Sequence, residues 1–66
     1  MSIAEVGKQL RAARMKRGWS QTDLAEQAGV SRPTIARVES GQDISTASLE
    51  KIVVALELVI DLRHSD

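Results

Sequence analysis

Apolar residues recur at helical spacing along most of the chain and predict a series of short helices. The first helix is expected from Ile3 to about Arg17, because Val6, Leu10 and Ala13 follow Ile3 on one helical face. A stripe of this kind buries one side of a helix and leaves the other side in water. The pattern is therefore typical of a small helical domain.

Capping residues set the limits of the second and third helices. Ser20 and Asp23 have the spacing at which an N-cap side chain and the third helical residue bond each other's backbone, and Gly29 is a helix-ending residue. Ser31 is expected to cap the third helix, since Pro33 is tolerated only in a first turn, where its missing N–H breaks no hydrogen bond. A turn of about three residues then separates the two helices.

The C-terminal part changes from helical to alternating periodicity. A fourth helix is expected to begin after Ser45 or Thr46, with these apolar residues on one face: Leu49, Ile52, Val53 and Leu56. In the segment 58–63 every second residue is a large aliphatic one, as in a strand: Leu58, Ile60 and Leu62. A short fifth helix is the alternative for this segment. We expect the strand, because β-branched residues lead the segment and no capping residue precedes it.

Residues 21–40 have the arrangement of a helix-turn-helix. Gly29 suits the tight turn, Ala25 is small enough for two helices to cross closely, and Ile35 and Val38 face the core. The remaining side chains of the third helix point outward: Arg32, Pro33, Thr34, Ala36 and Arg37. The motif places such a helix in the major groove of DNA. A helical bundle that shares only the turn is the alternative, but it does not require basic residues on one outer face.

The charge distribution supports a nucleic-acid partner although the net charge is zero. Residues 1–41 contain seven basic and four acidic residues, and residues 42–66 contain two basic and five acidic ones. The two parts therefore carry net charges of +3 and −3. This division predicts a basic face toward DNA and an acidic end toward a different partner.

Composition narrows the remaining classes of function. The 66 residues include no cysteine and one histidine, so neither disulfides nor a zinc site is expected, and the lack of thiols fits the cytoplasm. No apolar run approaches the length that spans a bilayer, so no membrane association is expected. Neither a nucleophile with its base nor a phosphate-binding loop is present, which argues against an enzyme and against any cofactor. A domain this small is often stabilised by a second copy of itself.

Three stretches of the chain together resemble the Cro and phage-repressor class of helix-turn-helix proteins, the XRE family. They are LRAAR at 10–14, GWSQTDLA at 18–25 and GVSRPTIARVESG at 29–41, and the likeness extends over about residues 3–58. The resemblance implies an all-α, lambda-repressor-like bundle of four to five helices. It also implies a homodimer that binds double-stranded DNA at a palindromic operator and represses transcription.

The resemblance further implies roles for single residues. Arg32, Pro33 and Arg37 lie where the family reads bases, and Arg37 alternatively reaches a phosphate; Thr34 is expected beside them, at a thymine methyl or a phosphate. Arg14 and Glu39 would form the family's buried ion pair between the first and third helices. Contacts to phosphates are expected from helix N-termini and hydroxyl groups at Ser20, Gln21, Ser31, Ser40, Ser45 and Thr46. Turn and capping roles are an equal alternative for the hydroxyl residues at 40, 45 and 46. We expect Arg11, Lys16 and Arg17 to supply long-range attraction and little specificity.

The chain departs from the family at two positions and in its tail. Pro33 stands where the family often has a polar reader, and Glu57 stands where it usually has glycine. The alternating tail resembles the HipB-type antitoxins, in which a C-terminal strand pairs with its twin across the dimer. We therefore predict a DNA-binding domain over residues 1–57 and a dimerisation strand over residues 58–66, with Leu58, Ile60 and Leu62 at the interface. An antitoxin that also binds a toxin protein is the alternative function.

Overall fold

Four helices make up the part of the chain that the computed structural model describes, residues 2–58. They are α1 (Ile3–Lys16), α2 (Gln21–Ala28), α3 (Arg32–Glu39) and α4 (Thr46–Ala55). Each helix lies where periodicity and capping predict it, and α1 ends one residue before Arg17, which is its C-cap. The expected strand or fifth helix at 58–63 lies almost wholly outside the described residues.

Each of the four helices begins at a serine whose side chain accepts a backbone N–H three residues further on: Ser2, Ser20, Ser31 and Ser45. At α2 the bond is reciprocal, since the Ser20 backbone N–H donates to Asp23 Oδ2 at 2.8 Å. The hydrogen bonds that the Asp23 carboxylate accepts from the backbone and the side chain of Ser20 lower the pKa of this carboxyl. Local sequence therefore determines where the helices start.

The helix ends depend on residues with left-handed backbone. Gly29 ends α2 with φ of 73°, a conformation that glycine adopts without steric cost. After α4 the same place is taken by Glu57 with φ of 55°, the only non-glycine residue with positive φ among residues 2–58. Two backbone bonds close this end, from Glu57 N to Val54 O and from Leu58 N to Val53 O, both 3.0 Å. The glutamate thus occupies a backbone position that favours glycine.

The core lies between all four helices, with α3 packed against α1 and α2, and α4 packed against α2. Seven apolar residues form it: Leu10, Leu24, Ala25, Ile35, Val38, Ile52 and Leu56. Because α3 contributes Ile35 and Val38, both with 0% exposure, the helix is fixed in rotation about its axis. Its opposite face is consequently held toward solvent.

α1 and α3 cross at Gly7, which is buried in the middle of α1. A Cβ built on Gly7 would lie far inside van der Waals contact of the Val38 carbonyl oxygen, and 3.3 Å from Glu39 Cα. Only glycine therefore allows the two backbones to approach this closely.

Arg17 joins the C-terminal ends of α1 and α4. Its Nη2 donates to the Leu56 carbonyl oxygen at 2.9 Å and to Glu57 Oε2 at 3.0 Å. The guanidinium also lies over the ring of Trp19, 5.2 Å from its centroid. Arg17 therefore has a structural role that was not predicted from the sequence.

Candidate nucleic-acid interface

The outward face of α3 consists of two arginines and a proline. Arg32, Pro33 and Arg37 are exposed, whereas Thr34 and Ala36 are half-buried. Because the core residues of α3 lie on the opposite side, the four positions predicted to contact bases lie on or beside one solvent-facing surface. We call Arg32, Pro33 and Arg37 the reading face.

Hydrogen bonds position the ends of this face. The hydroxyls of Ser31 and Thr34 lie 2.8 Å apart and are bonded to each other at the start of α3, near Pro33 in sequence. Arg37 Nη2 donates to the Asp43 carbonyl oxygen at 3.3 Å. A guanidinium has five N–H donors, so this bond steadies Arg37 and leaves donors for another partner.

Arg14 and Glu39 form a bidentate ion pair beneath the reading face. Arg14 Nε donates to Glu39 Oε2 at 2.7 Å and Nη2 donates to Oε1 at 2.9 Å, with side-chain exposures of 11% and 4%. Arg14 Nη1 also donates to the Trp19 carbonyl oxygen at 2.8 Å. The bond to Glu39 raises the pKa of the Arg14 guanidinium, so this guanidinium remains charged. The pair ties α1 to the last turn of α3.

Gln21 belongs to the same cluster, which sequence reasoning did not predict. Its Nε2 donates to Glu39 Oε1 at 3.3 Å. The first residue of α2 is thereby connected to the last residue of α3. Only the three-dimensional arrangement shows this connection, since 18 residues separate the two in sequence.

The serines expected at phosphates also have partners within the chain. Ser20 and Ser31 cap helices as predicted, and Ser45 also caps a helix, which is the alternative given for it above. The Ser40 hydroxyl donates to the Arg37 carbonyl oxygen at 2.9 Å, and the Ser45 hydroxyl donates to Ser48 Oγ at 2.9 Å. Thr46 is the exposed first residue of α4.

One of the three residues expected at a dimer interface lies in the described part of the chain. Leu58 follows α4 and is 37% exposed. Ile60 and Leu62 lie outside the described residues. Val54, one turn before Leu58, is 69% exposed, so α4 also presents apolar surface to solvent.

A comparison with protein families matches residues 10–61 to the helix-turn-helix family HTH_3. The chain belongs to this family. As a helix-turn-helix protein of the Cro and phage-repressor (XRE) type, it is a DNA-binding regulator, and the family is not one of enzymes. The match includes α2, α3 and α4 in full.

Curated relatives include a regulator and an antitoxin. The helix-turn-helix protein is 38% identical over 55 residues to a putative HTH-type transcriptional regulatory protein of Pyrococcus furiosus, and this match covers 83% of the chain but 16% of the relative. It is 31% identical over 62 residues to antitoxin HipB of Escherichia coli K12, covering 92% of the chain and 70% of HipB. The chain thus spans a small part of the first relative and most of the second.

The fold also matches a solved HipA-HipB-O2-O3 complex. The TM-score to a chain of that complex is 0.87 at 25% identity, with coverage of 100% of this chain and 94% of the other. Among residues 2–58 of the helix-turn-helix protein, no helix has the length and apolar composition needed to cross a lipid bilayer.

Proposed function

We propose that this helix-turn-helix protein binds a palindromic operator as a homodimer and represses transcription by occupying the DNA. The observation that carries the proposal is the reading face, where Arg32 and Arg37 are exposed beside Pro33 on a helix whose other side is buried. Membership of a family of DNA-binding regulators agrees with it.

In this proposal α3 of each subunit enters the major groove, with half-sites about one helical turn apart or a multiple of that distance. Arg32 binds guanine O6 and N7 through two parallel hydrogen bonds, and Arg37 binds a second base or a phosphate. Thr34 contacts a methyl group or a phosphate beside them. Backbone N–H groups at the start of α2 bind phosphate together with the second amide proton of Gln21.

The homodimer is proposed from apolar surface at the C-terminal side of the domain. Val54 and Leu58 are exposed, and the aliphatic alternation continues through Ile60 and Leu62 in sequence. Two copies of this surface would bury each other, and residues 58–66 would form the interface outside a DNA-binding domain of residues 1–57.

The test is selection of bound sequences from random DNA at about 50 mM and about 200 mM salt. A dimeric repressor selects a palindrome whose half-sites keep one fixed spacing at both salt concentrations. Recovery of unrelated sequences at both concentrations would leave only sequence-independent binding and would contradict the proposal.

A substitution of Arg32 tests the reading face directly. Arg32→Ala should weaken binding to the selected site by about 1–3 kcal/mol and relax the preference at one guanine in each half-site. Arg11→Ala removes an exposed arginine of α1 and is the matched control, expected to preserve the sequence preference. An unchanged preference in Arg32→Ala would exclude Arg32 as a base reader.

A second function is favoured by the relation to HipB, which is named an antitoxin. In this proposal the protein neutralises a toxin protein and its DNA binding regulates their common operon. Co-expression with the product of the neighbouring reading frame should relieve growth arrest and give a stable complex on size-exclusion chromatography. A neighbouring product that is harmless to the cell, or whose toxicity persists on co-expression, would reject the antitoxin.

A further inference from the structure

We propose that Pro33 makes the protein selective for a 5-methylpyrimidine, thymine or 5-methylcytosine, in each half-site. This inference rests on the proposed function, because it requires that α3 enters the major groove. It names the class of base that Pro33 recognises, and it predicts that binding depends on the C5-methyl group of that base.

The reading face has no hydrogen-bond acceptor in its side chains. Arginine only donates, and proline has no polar side-chain atom. The carboxylate of α3, Glu39, is bonded to Arg14 and Gln21 beneath the face. The amino groups of adenine and cytosine, which need an acceptor, are therefore not read by these three side chains. The acceptor atoms of the groove and the pyrimidine C5-methyl group remain as the features that the reading face recognises, and guanine alone offers two acceptors, N7 and O6, to one arginine.

Pro33 is the exposed apolar side chain in the first turn of α3, whereas Thr34 is half-buried. The hydroxyl groups of Ser31 and Thr34, which precede and follow the proline in sequence, are bonded to each other at 2.8 Å. Ser31 Oγ also accepts the Thr34 backbone N–H at 3.3 Å. Pro33 has no backbone N–H to offer. An exposed ring in this position gains free energy only by contact with an apolar group of the groove, which is the pyrimidine methyl.

Arg37 lies near enough to recognise a neighbouring base. Pro33 and Arg37 are four residues apart, so they share one helix face and are separated by about 6 Å along the axis. Base pairs are stacked about 3.4 Å apart, so for a helix that lies along the groove the two contacts are about two base pairs apart. The combination reads a 5-methylpyrimidine close to a guanine. Because 5-methylcytosine carries the same methyl group as thymine, it should replace thymine at that position.

The experiment starts from the best site found by selection from random DNA. Each thymine is replaced in turn by deoxyuridine, which removes only the methyl group, and dissociation constants are measured. At one position in each half-site the replacement should weaken binding about fourfold, the effect of one buried methyl group. At that position 5-methylcytosine should bind more tightly than cytosine.

Variants connect this methyl group to the proline. Pro33→Ala should bring the ratio of deoxyuridine to thymine dissociation constants close to one, whereas Pro33→Val, which keeps apolar bulk, should retain a preference. Met15→Ala shortens an exposed apolar side chain of α1 and should leave the ratio unchanged. Circular dichroism melting establishes whether each variant is folded. If Pro33→Ala does not fold, the comparison of thymine with deoxyuridine in the wild-type protein still tests the methyl selectivity.

The outcomes separate this proposal from the function on which it rests. Selection that yields no preferred sequence contradicts the proposed function itself. A clear palindrome in which no thymine is sensitive to loss of its methyl group overturns the methyl selectivity and leaves operator binding intact. The same is true if Pro33→Ala, in a folded state, keeps the wild-type ratio.

Discussion

At the scale of single residues, Glu39 supports the reading face without belonging to it. Its carboxylate accepts hydrogen bonds from Arg14 and Gln21, which connects α1, α2 and α3 at one buried point. Loss of one partner of a buried ion pair leaves the other charge without compensation. The residue therefore helps to hold α3 against α1 and α2, together with the buried Ile35 and Val38.

Glu39→Ala should destabilise the domain by about 3–5 kcal/mol, because Arg14 would remain buried without its partner. A small domain has about that much stability in total, so most of the protein should unfold near room temperature. Thermal unfolding followed by circular dichroism measures the change. The double variant Arg14→Met, Glu39→Leu is the control and should recover much of the loss, since an apolar pair has no charge to compensate. A melting temperature for Glu39→Ala equal to that of the parent would contradict this role.

Gly7 is favourable for stability although glycine has a low intrinsic helix propensity. Alanine is favoured over glycine inside a helix by about 1 kcal/mol, yet a Cβ at this position would collide with the Val38 carbonyl oxygen. Gly7→Ala should therefore destabilise the protein by about 1–3 kcal/mol in urea unfolding. Gln9→Ala, at an exposed position of α1, is the control and should change stability by less than about 0.5 kcal/mol. If Gly7→Ala is as stable as the parent, α1 and α3 do not cross as closely as described.

At the scale of elements, the end of α4 combines an unfavourable backbone conformation with a compensating side-chain contact. Glu57 has positive φ, which costs a non-glycine residue about 1–2 kcal/mol. Its ion pair with Arg17 has side-chain exposures of 33% and 79%, so water screens it and its contribution is about 0–1 kcal/mol. The backbone cost is thus the larger of the two effects.

Glu57→Gly should raise the melting temperature by about 2–6 °C, because relief of the backbone exceeds the loss of the exposed ion pair. Glu57→Ala removes the same ion pair while the positive φ is retained, so it should lower the melting temperature slightly. The difference between the two variants measures the backbone cost alone. Equal melting temperatures for the glycine and alanine variants would show that φ at residue 57 does not limit stability.

At the scale of the whole molecule, the proposed homodimer relates the C-terminal segment to DNA affinity. If Leu58, Ile60 and Leu62 alternate on one face of a strand, Val59 lies on the other face. Ile60→Asp should then give monomers in analytical ultracentrifugation and weaken operator binding, because each half-site would be bound independently. Val59→Asp introduces the same charge one residue away and should remain dimeric. An Ile60→Asp protein that sediments as a dimer would exclude this segment as the interface.

Local features of the sequence were sufficient to predict the helices and the motif that they form. The serine caps bond groups three residues away, and the glycine after α2 acts through its own φ, so both effects are contained in short stretches of sequence. Apolar periodicity then determined which side of α3 is buried and left Arg32, Pro33 and Arg37 outside. The membership of the helix-turn-helix family, read from the same motifs, was confirmed by the family comparison.

Only the tertiary structure decided how the helices are joined, because the contacts involved are far apart in sequence. Three contacts join residues that are up to 40 positions apart in sequence. They are the bond from Gln21 to Glu39, the close crossing at Gly7 and the bond from Arg17 to the end of α4. Apolar periodicity specifies a buried face but not which backbone lies against it, so the need for glycine at position 7 was not visible. In the same way, Glu57 could be recognised as unusual from the sequence, but its left-handed backbone and its contact with Arg17 are seen only in the folded chain.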